Sequence, residues 1–156
     1  MEAADACLHA IEEVAGLYHR LLLLVGTDPA TVSDCIKNVA GRFNLPVTNL
    51  NAELAAMLLE VPSRQRQIRA NKAVGDILDS TSMDMVMLDH TDLLFSPSLR
   101  LDPLALLKSL SRNKTIVAAW PGAVRGDVLM HAENWHPEYQ QHPVDGVRVF
   151  SVDQQN

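Results

Sequence analysis

The amino-acid sequence predicts an α/β domain, a three-layer sandwich around a mainly parallel sheet of about five strands. Short, unbroken apolar runs such as Leu21–Val25 and residues 85–88 are typical of central parallel strands, which are covered on both faces. Between these runs, apolar residues recur three and four positions apart, as they do in amphipathic helices. The length of 156 residues fits a single domain over residues 1–156.

The remaining predicted elements follow the same two patterns. Apolar residues at 46–50, at 116–120 and around 147–152 predict three more strands. The helical spacing predicts helices over 2–20, 32–43, 52–60 and 65–79, and a further helix that begins at Asp102-Pro103, a cap followed by a first-turn proline. Asn51 is the candidate cap of the 52–60 helix. Residues 123–143 carry no clear pattern.

Composition bounds the function classes. Hydrophobic residues make up 47% of the chain and the mean hydropathy is +0.01, which excludes a largely disordered chain. The 13 basic and 19 acidic residues give a net charge of −6, so a surface that is basic throughout is excluded. The longest aliphatic run, Leu21–Val25, is too short to cross a membrane. The two cysteines, Cys7 and Cys35, and the lack of an export signal predict a cytoplasmic protein without a disulfide framework.

The loop after the first predicted strand resembles a phosphate loop that lacks two key residues. In a parallel sheet, ligands bind beyond the carboxyl ends of the strands, which is where this loop lies. Against the pattern G-x-x-x-x-G-K-[ST], Gly26 and Ser33 match the outer positions, while Thr31 replaces the second glycine and Val32 replaces the lysine. The candidate nucleotide-binding residues are Gly26, Thr27, Asp28, Thr31, Val32 and Ser33.

The start of the following helix decides how much of this loop exists. Asp28-Pro29 can cap and begin the helix, which shortens the loop and places a carboxylate at its mouth. Alternatively, Thr31 caps the helix with Asp34 as a capping-box partner, and the full loop remains. An ordinary strand–turn–helix connection without a ligand is the third interpretation.

A second candidate follows residues 85–88. Asp89 comes directly after four apolar residues, where phosphate-loop proteins hold Mg²⁺ together with the loop Ser or Thr, here Ser33. His90 stands where a glutamate often orients the attacking water, and Asp92 could substitute for it, so these two are the catalytic candidates. The alternative is that Asp89 and Asp92 cap the following turn.

Two further clusters stand out. Four basic residues fall within nine positions with no acidic residue among them: Arg64, Arg66, Arg69 and Lys72. They predict a contact with a partner, nucleic acid included, or alternatively a solvated helix face. A second cluster matches no zinc-binding spacing and is predicted to be a surface loop. Its members are His131, Glu133, His136, Glu138 and His142.

Several segments together resemble one family. They are Asn49-Leu50-Asn51, 53–60, 62–66, 88–95 with the pattern L-D-H-x-[DE]-L-L-F, 101–104, 108–113, 115–122 ending in W-P-G, and 136–139. This combination resembles BrxF, the family of small P-loop-containing proteins in the type 3 BREX phage-defence systems of bacteria. The resemblance covers nearly the whole chain, and the 88–95 and W-P-G segments are its most specific parts.

The resemblance implies an AAA-like, P-loop NTPase-like core without the usual helical lid, with ATP as ligand. It also implies action beside other BREX proteins, which include a large ATPase, an alkaline-phosphatase-like protein and a DNA methyltransferase. Carried over by position, Gly26 and Ser33 are phosphate-loop residues and Asp89 is the metal-binding acid. Thr31 and Val32 depart from the motif, as does the residue after Asp89, and these departures weigh against hydrolysis more than against the fold.

Three functional hypotheses follow. In the first, the chain is an assembly or regulatory subunit of a BREX complex, expected to be a homo-oligomer, with weak or absent ATP hydrolysis. The second is an active Mg²⁺-dependent ATPase in which an arginine replaces the lysine, either from a neighbouring subunit or from this chain, where Arg64, Arg112 and Arg125 are candidates. The third is an adaptor that contacts DNA through residues 64–72. No membrane partner is expected.

Overall fold

A five-stranded, all-parallel sheet lies at the centre of the molecule, as the sequence predicts. The computed structural model describes residues 3–131, 140–144 and 146–154. The strands, in chain order, are β1 (Leu21–Val25), β2 (Val47–Asn49), β3 (Met85–Asp89), β4 (Thr115–Ala119), β5 (Ala123–Arg125), β6 (Val128–His131), β7 (Gln140–Pro143) and β8 (Arg148–Ser151). The parallel sheet has the order β2-β3-β4-β1-β8, and each of its strands lies within one residue of its predicted bounds.

Helices cover both faces of the parallel sheet. They are α1 (Ala3–Val14), α2 (Pro29–Arg42), α3 (Leu50–Leu58), α4 (Ser63–Asp79) and α5 (Pro103–Leu110). Side chains alternate along each strand, so Leu22 and Leu24 pack with α1 and α2 while Leu21 and Leu23 pack with α3, α4 and α5. Both sets are buried, which explains why β1 reads as an unbroken apolar run.

The first helix is shorter than predicted. The helical spacing predicts a helix over 2–20, but α1 ends at Val14. Gly16 and Leu17 make turn-type hydrogen bonds to the carbonyls of Glu13 and Val14, and a glycine at this point disfavours continuation of the helix. Tyr18, predicted to belong to the apolar stripe, is 69% exposed.

The segment without a clear pattern forms a second, antiparallel sheet, which the sequence did not predict. Its order is β5-β6-β7, with Val124 opposite Leu129 and Leu129 opposite His142. This ribbon lies between β4 and β8 in the chain. It packs on the carboxyl end of the parallel sheet, where Leu129 and Val124 join the core on the α3–α5 face.

Candidate functional site

A cleft of about 520 Å³ opens at the carboxyl ends of β1, β3 and β4. It lies where the connections leave the sheet on opposite faces, since α2 follows β1 on one face and α5 follows β3 on the other. Most of the residues predicted from the sequence meet here, while Asp28 and Thr31 do not line the cleft. Those that line it are Gly26, Thr27, Val32, Ser33, Asp89, His90 and Asp92.

The loop after β1 takes the shorter of the two predicted forms. Asp28 is the N-cap of α2, and its Oδ1 accepts a hydrogen bond of 3.0 Å from the Ala30 N–H. Pro29 occupies the first turn, so Thr31 lies inside the helix instead of capping it. Three residues, 26–28, therefore separate the strand from the helix, where a full phosphate loop would need a longer cradle.

Several backbone N–H groups of this loop and of the first turn of α2 already have acceptors within the chain. The Thr27 N–H donates to Asp153 Oδ2 at 2.7 Å, and the Thr31 and Val32 N–H groups donate to the Asp28 carbonyl. A phosphate loop works because such N–H groups point at the phosphates. Here two carboxylates, Asp28 and Asp153, stand at the mouth of the loop instead and would repel an anion.

Gly26 is required by packing. A Cβ built at this position would lie 2.6 Å from Val152 Cγ2 and 3.0 Å from Val32 Cγ2. Val32, at the position of the phosphate-loop lysine, is buried in the core beside Val152. The glycine therefore allows the turn Val152–Gln154 to close over the loop, which brings Asp153 to the Thr27 N–H.

Asp89 ends β3 and is buried at the floor of the cleft. Its Oδ1 accepts a hydrogen bond of 2.8 Å from the His90 N–H, and its Oδ2 lies 3.7 Å from His90 Nε2. His90 has a left-handed backbone with φ +53°, an uncommon conformation for a residue with a side chain. Strain of this kind persists where neighbouring contacts fix the chain, and it concentrates at functional sites.

Asn51 supplies one of those contacts, in a role that the sequence analysis missed. Its backbone N–H donates to the His90 carbonyl at 2.8 Å, and its Oδ1 accepts from the Leu93 N–H at 2.7 Å. The prediction that Asn51 caps the 52–60 helix is wrong. The cap is Asn49, which accepts from the Ala52 N–H, so α3 begins earlier and leaves Asn51 to hold the loop after β3.

Trp120 and His131 line the cleft and belong to a cluster of aromatic and histidine rings beside it. Phe95 packs edge-on against Trp120, with ring centroids 4.9 Å apart, and stacks on His131 at 4.0 Å. His142 meets the edge of Trp120 at 5.6 Å. The Trp120 indole N–H donates to the Met130 carbonyl, and a histidine nitrogen of His131 contacts the Pro121 carbonyl. This cluster fixes the antiparallel ribbon on the parallel sheet.

The prediction that residues 131–142 form a surface loop is therefore wrong at its two ends, His131 and His142. His131 is buried and His142 is half-buried, both in strands, because ring packing outweighs the polar character of an imidazole. Burial lowers the pKa of His142. The charge of Asp102 partly offsets this lowering, whereas His131 adds to it. Glu133, His136 and Glu138 lie outside the described residues. The W-P-G segment has a packing role as well, since a Cβ on Gly122 would lie 1.9 Å from the Met130 carbonyl oxygen.

The cleft carries acidic groups without a compensating fixed cation. Asp89 and Asp92 line it, and no lysine or arginine does so in the part of the chain that the structure describes. The three arginines that could replace the missing lysine are not among the lining residues, and Arg112 lies over the Tyr18 ring at 4.8 Å. Cys7 and Cys35 are free and buried between α1 and α2, where their mutual hydrogen bond and burial raise the pKa of Cys7.

These residues do not fit a nucleoside triphosphate with Mg²⁺. A polyphosphate needs unsatisfied N–H groups and a positive charge, whereas the N–H groups of Thr27, Thr31 and Val32 are occupied and the lysine position holds a buried valine. Asp89 and Ser33 do line the same cleft, as the magnesium prediction requires. Within the described ranges, no group of three or more His, Cys, Asp or Glu side chains could hold a metal ion. A site made by Asp89 and Ser33 with a nucleotide is of another kind, so the magnesium site stays a prediction.

The predicted partner-contact residues lie on the first three turns of α4. Arg66 donates to the carbonyls of Val61 and Leu59, at 2.8 and 3.3 Å, and so caps the end of α3. Lys72 pairs with Asp76 one helical turn later, at 3.2 Å. Arg64 is exposed, and Arg69 lines a shallow groove between α3 and α4. The cluster is separate from the cleft.

In comparisons with known proteins, the chain matches no family model, no curated protein and no solved structure. Among the described helices, none combines the length and apolar character needed to span a bilayer.

Proposed function

We propose that this protein is a small AAA-like subunit of a BREX-type phage-defence complex that acts in assembly or regulation and does not depend on ATP hydrolysis. The motif resemblance supports the defence setting, and the all-parallel sheet with the order β2-β3-β4-β1-β8 is compatible with the α/β core that the resemblance implies. One observation carries the non-hydrolytic role. The Thr27 N–H bonds to Asp153, and the N–H groups of residues 30–32 bond to Asp28, in positions where phosphates would need free donors.

The energetic argument concerns the missing positive charge. Removing one preorganised group that stabilises a transition state costs about 3 to 4 kcal/mol, or a factor of several hundred in rate. In this cleft the lysine is replaced by Val32 and the catalytic acid by His90. The carboxylates of Asp28 and Asp153 add negative charge at the loop after β1. An arginine from a neighbouring subunit could offset part of this charge, which is the competing ATPase hypothesis.

Thermal unfolding with and without nucleotide tests the proposal directly. A ligand present at one hundred times its Kd stabilises a protein by about 2.7 kcal/mol, which raises Tm by several degrees in a domain of this size. We expect no such rise with millimolar ATP and Mg²⁺, and no release of phosphate above the buffer rate. The protein should be measured over a wide concentration range, so that an arginine supplied by a second copy has the chance to act.

Asp89→Asn is the matched variant. If ATP and Mg²⁺ bind, this substitution abolishes the Tm shift, whereas the proposal expects the same Tm difference between nucleotide and buffer, close to zero, in both proteins. Phosphate release that depends on Asp89 would overturn the proposal and establish the ATPase hypothesis. A Tm shift that depends on Asp89 without phosphate release would restrict the role to nucleotide-regulated assembly.

A further inference from the structure

The α3–α4 helix pair, residues 50–79, exposes apolar side chains to an unusual degree. Ile68 is 78% exposed and Leu59 is 74% exposed, the two highest values among the large apolar side chains that the structure describes. Met57, on the same helix pair, is 43% exposed. Single exposed apolar residues are ordinary, but three on one helix pair mark an interaction surface.

Two grooves flank the end of α3; Leu59 lines the larger and Met57 the smaller, whereas Ile68 lies outside both on the exposed face of α4. The larger, about 250 Å³, lies between α3 and the 3₁₀ turn Pro97–Leu99 and is lined mainly by leucines, with Arg66 at its edge. The smaller, about 170 Å³, lies between α3 and α4 and has Arg69 on its rim together with the ion pair of Lys72 and Asp76. Leu58 lines both grooves. The surface therefore combines concave apolar pockets with a cationic border.

The helix pair as a whole is neutral, because residues 50–79 contain four basic residues and four acidic ones, Glu53, Glu60, Asp76 and Asp79. Its positive charge is concentrated around the end of α3 and the first turns of α4. Residues 57–72 contain four basic residues and one acidic residue, Glu60, for a net charge of +3. The other residues contain 9 basic and 18 acidic residues, for a net charge of −9. Arg66 is held in place by its two carbonyl acceptors, so this one cation of the border is preorganised.

We propose that the α3–α4 helix pair docks a segment of another protein in which acidic side chains flank apolar ones. Apolar side chains of that segment would fill the two grooves, and its carboxylates would pair with Arg64, Arg66 and Arg69 at the rim. This is the arrangement of protein interfaces, an apolar centre with a polar border, and of helices that bind in grooves. The inference deepens the assembly role proposed above and rests on it for its setting.

Other occupants fit these observations less well. Nucleic acid gains nothing from exposed Ile68 and Leu59, and residues 50–79 contain no aromatic side chain on which bases could stack. A lipid surface is served by a continuous apolar face, whereas the apolar groups here border concave grooves. A symmetric contact with the same helix pair of a second copy would oppose two patches of charge +3.

Photo-crosslinking from position 68 in the native host tests the proposal. A photoreactive phenylalanine analogue replaces Ile68 in the full-length chain, and the same analogue replaces Lys37, an exposed residue of α2 on the opposite face, as the control. We expect position 68, and not position 37, to give an adduct whose peptide contains Asp or Glu beside apolar residues. Adding Arg69→Glu, or raising the salt concentration, should reduce the adduct at least tenfold.

Several outcomes would overturn the proposal. These are an adduct with nucleic acid, an adduct with a second copy of this chain, a partner peptide without acidic residues, and no adduct at position 68. Binding measurements on the purified protein test nucleic acid and lipid as partners. Duplex DNA and vesicles of phosphatidylserine and phosphatidylcholine should bind equally to Ile68→Glu and to the unmodified chain, because neither is expected to use this surface. The nucleotide measurements do not involve this surface, so the two proposals fail separately.

Discussion

At the scale of single residues, the packing around Gly26 predicts how much stability a Cβ at this position would cost. A Cβ there would lie 2.6 Å from Val152 Cγ2 and 3.0 Å from Val32 Cγ2, both in the buried layer under α2. We expect Gly26→Ala to lower the free energy of unfolding by about 1 to 3 kcal/mol, the usual cost of overpacking. Urea denaturation followed by circular dichroism measures this change.

Gly41 is the matched control for that substitution. It lies inside α2, and a Cβ on it would meet nothing within 4 Å. Gly41→Ala should therefore raise stability by about 0.5 to 1 kcal/mol, because alanine favours the helix more than glycine does. Equal effects at the two positions would show that backbone freedom, and not contact with Val152, explains Gly26.

At the scale of elements, Asn51 connects α3 to the turn that follows β3. Its Oδ1 is the acceptor for the Leu93 N–H at 2.7 Å. Asn51→Ala leaves this partly buried N–H without its acceptor, so we expect a loss of about 1 to 3 kcal/mol in the free energy of unfolding. Asn51→Asp retains an acceptor oxygen and should lose much less. If both variants lose the same stability, the hydrogen bond to Leu93 is not the cause.

The contact between the antiparallel ribbon and the sheet should depend on pH through His142. Burial lowers the pKa of His142 from its ordinary value near 6.5, so the unfolded state binds a proton more readily than the folded state. As the pH falls below about 6.5, the unfolded state therefore gains protons first and the free energy of unfolding decreases. Denaturation at several pH values should show a smaller decrease in His142→Gln.

Asp102 has the opposite effect to burial on the pKa of His142. Its carboxylate lies 3.6 Å from His142 Nδ1 and raises the pKa of His142 against the effect of burial. Asp102→Asn keeps an acceptor for the Ala105 N–H at the start of α5 but removes this charge. The pKa of His142 should then fall further, and acidification should destabilise this variant more than the unmodified protein. A shallower pH dependence in Asp102→Asn would contradict the assignment.

At the scale of the whole molecule, the parallel sheet is predictable from sequence because its strands are buried on both faces. Such strands appear as short apolar runs, and all five lie within one residue of the predicted bounds. In the ribbon, β5 and β7 alternate between partly buried and exposed residues, and β6 alternates between partly buried and buried ones, so no strand of the ribbon is an unbroken buried apolar run. Its fixation depends on ring packing around Trp120, which involves residues far apart in sequence.

The position of the cleft was also predictable, but its chemistry was only partly so. Gly26 and Asp89 follow two strands of one parallel sheet, so their proximity follows from topology. The acceptor of the Thr27 N–H, Asp153, lies 126 positions away, and no local pattern indicates that pairing. Whether the loop N–H groups were available to a ligand therefore required the tertiary structure.

The two core layers share the same sheet, and they should therefore unfold together. Phe150 is buried in the layer under α1 and α2, whereas Trp120 is buried in the layer on the opposite face. We expect Phe150→Ala to cost about 3 to 5 kcal/mol, and the urea midpoint should fall equally by far-UV circular dichroism and by Trp120 fluorescence, because small domains unfold in one step. The measurement needs Trp135→Phe as background, so that Trp120 is the only indole. Val149→Ala, on the other face of the same strand and partly buried, is the control and should cost less. If the fluorescence midpoint stays fixed while the circular dichroism midpoint falls, β8 separates from the sheet as an independent edge.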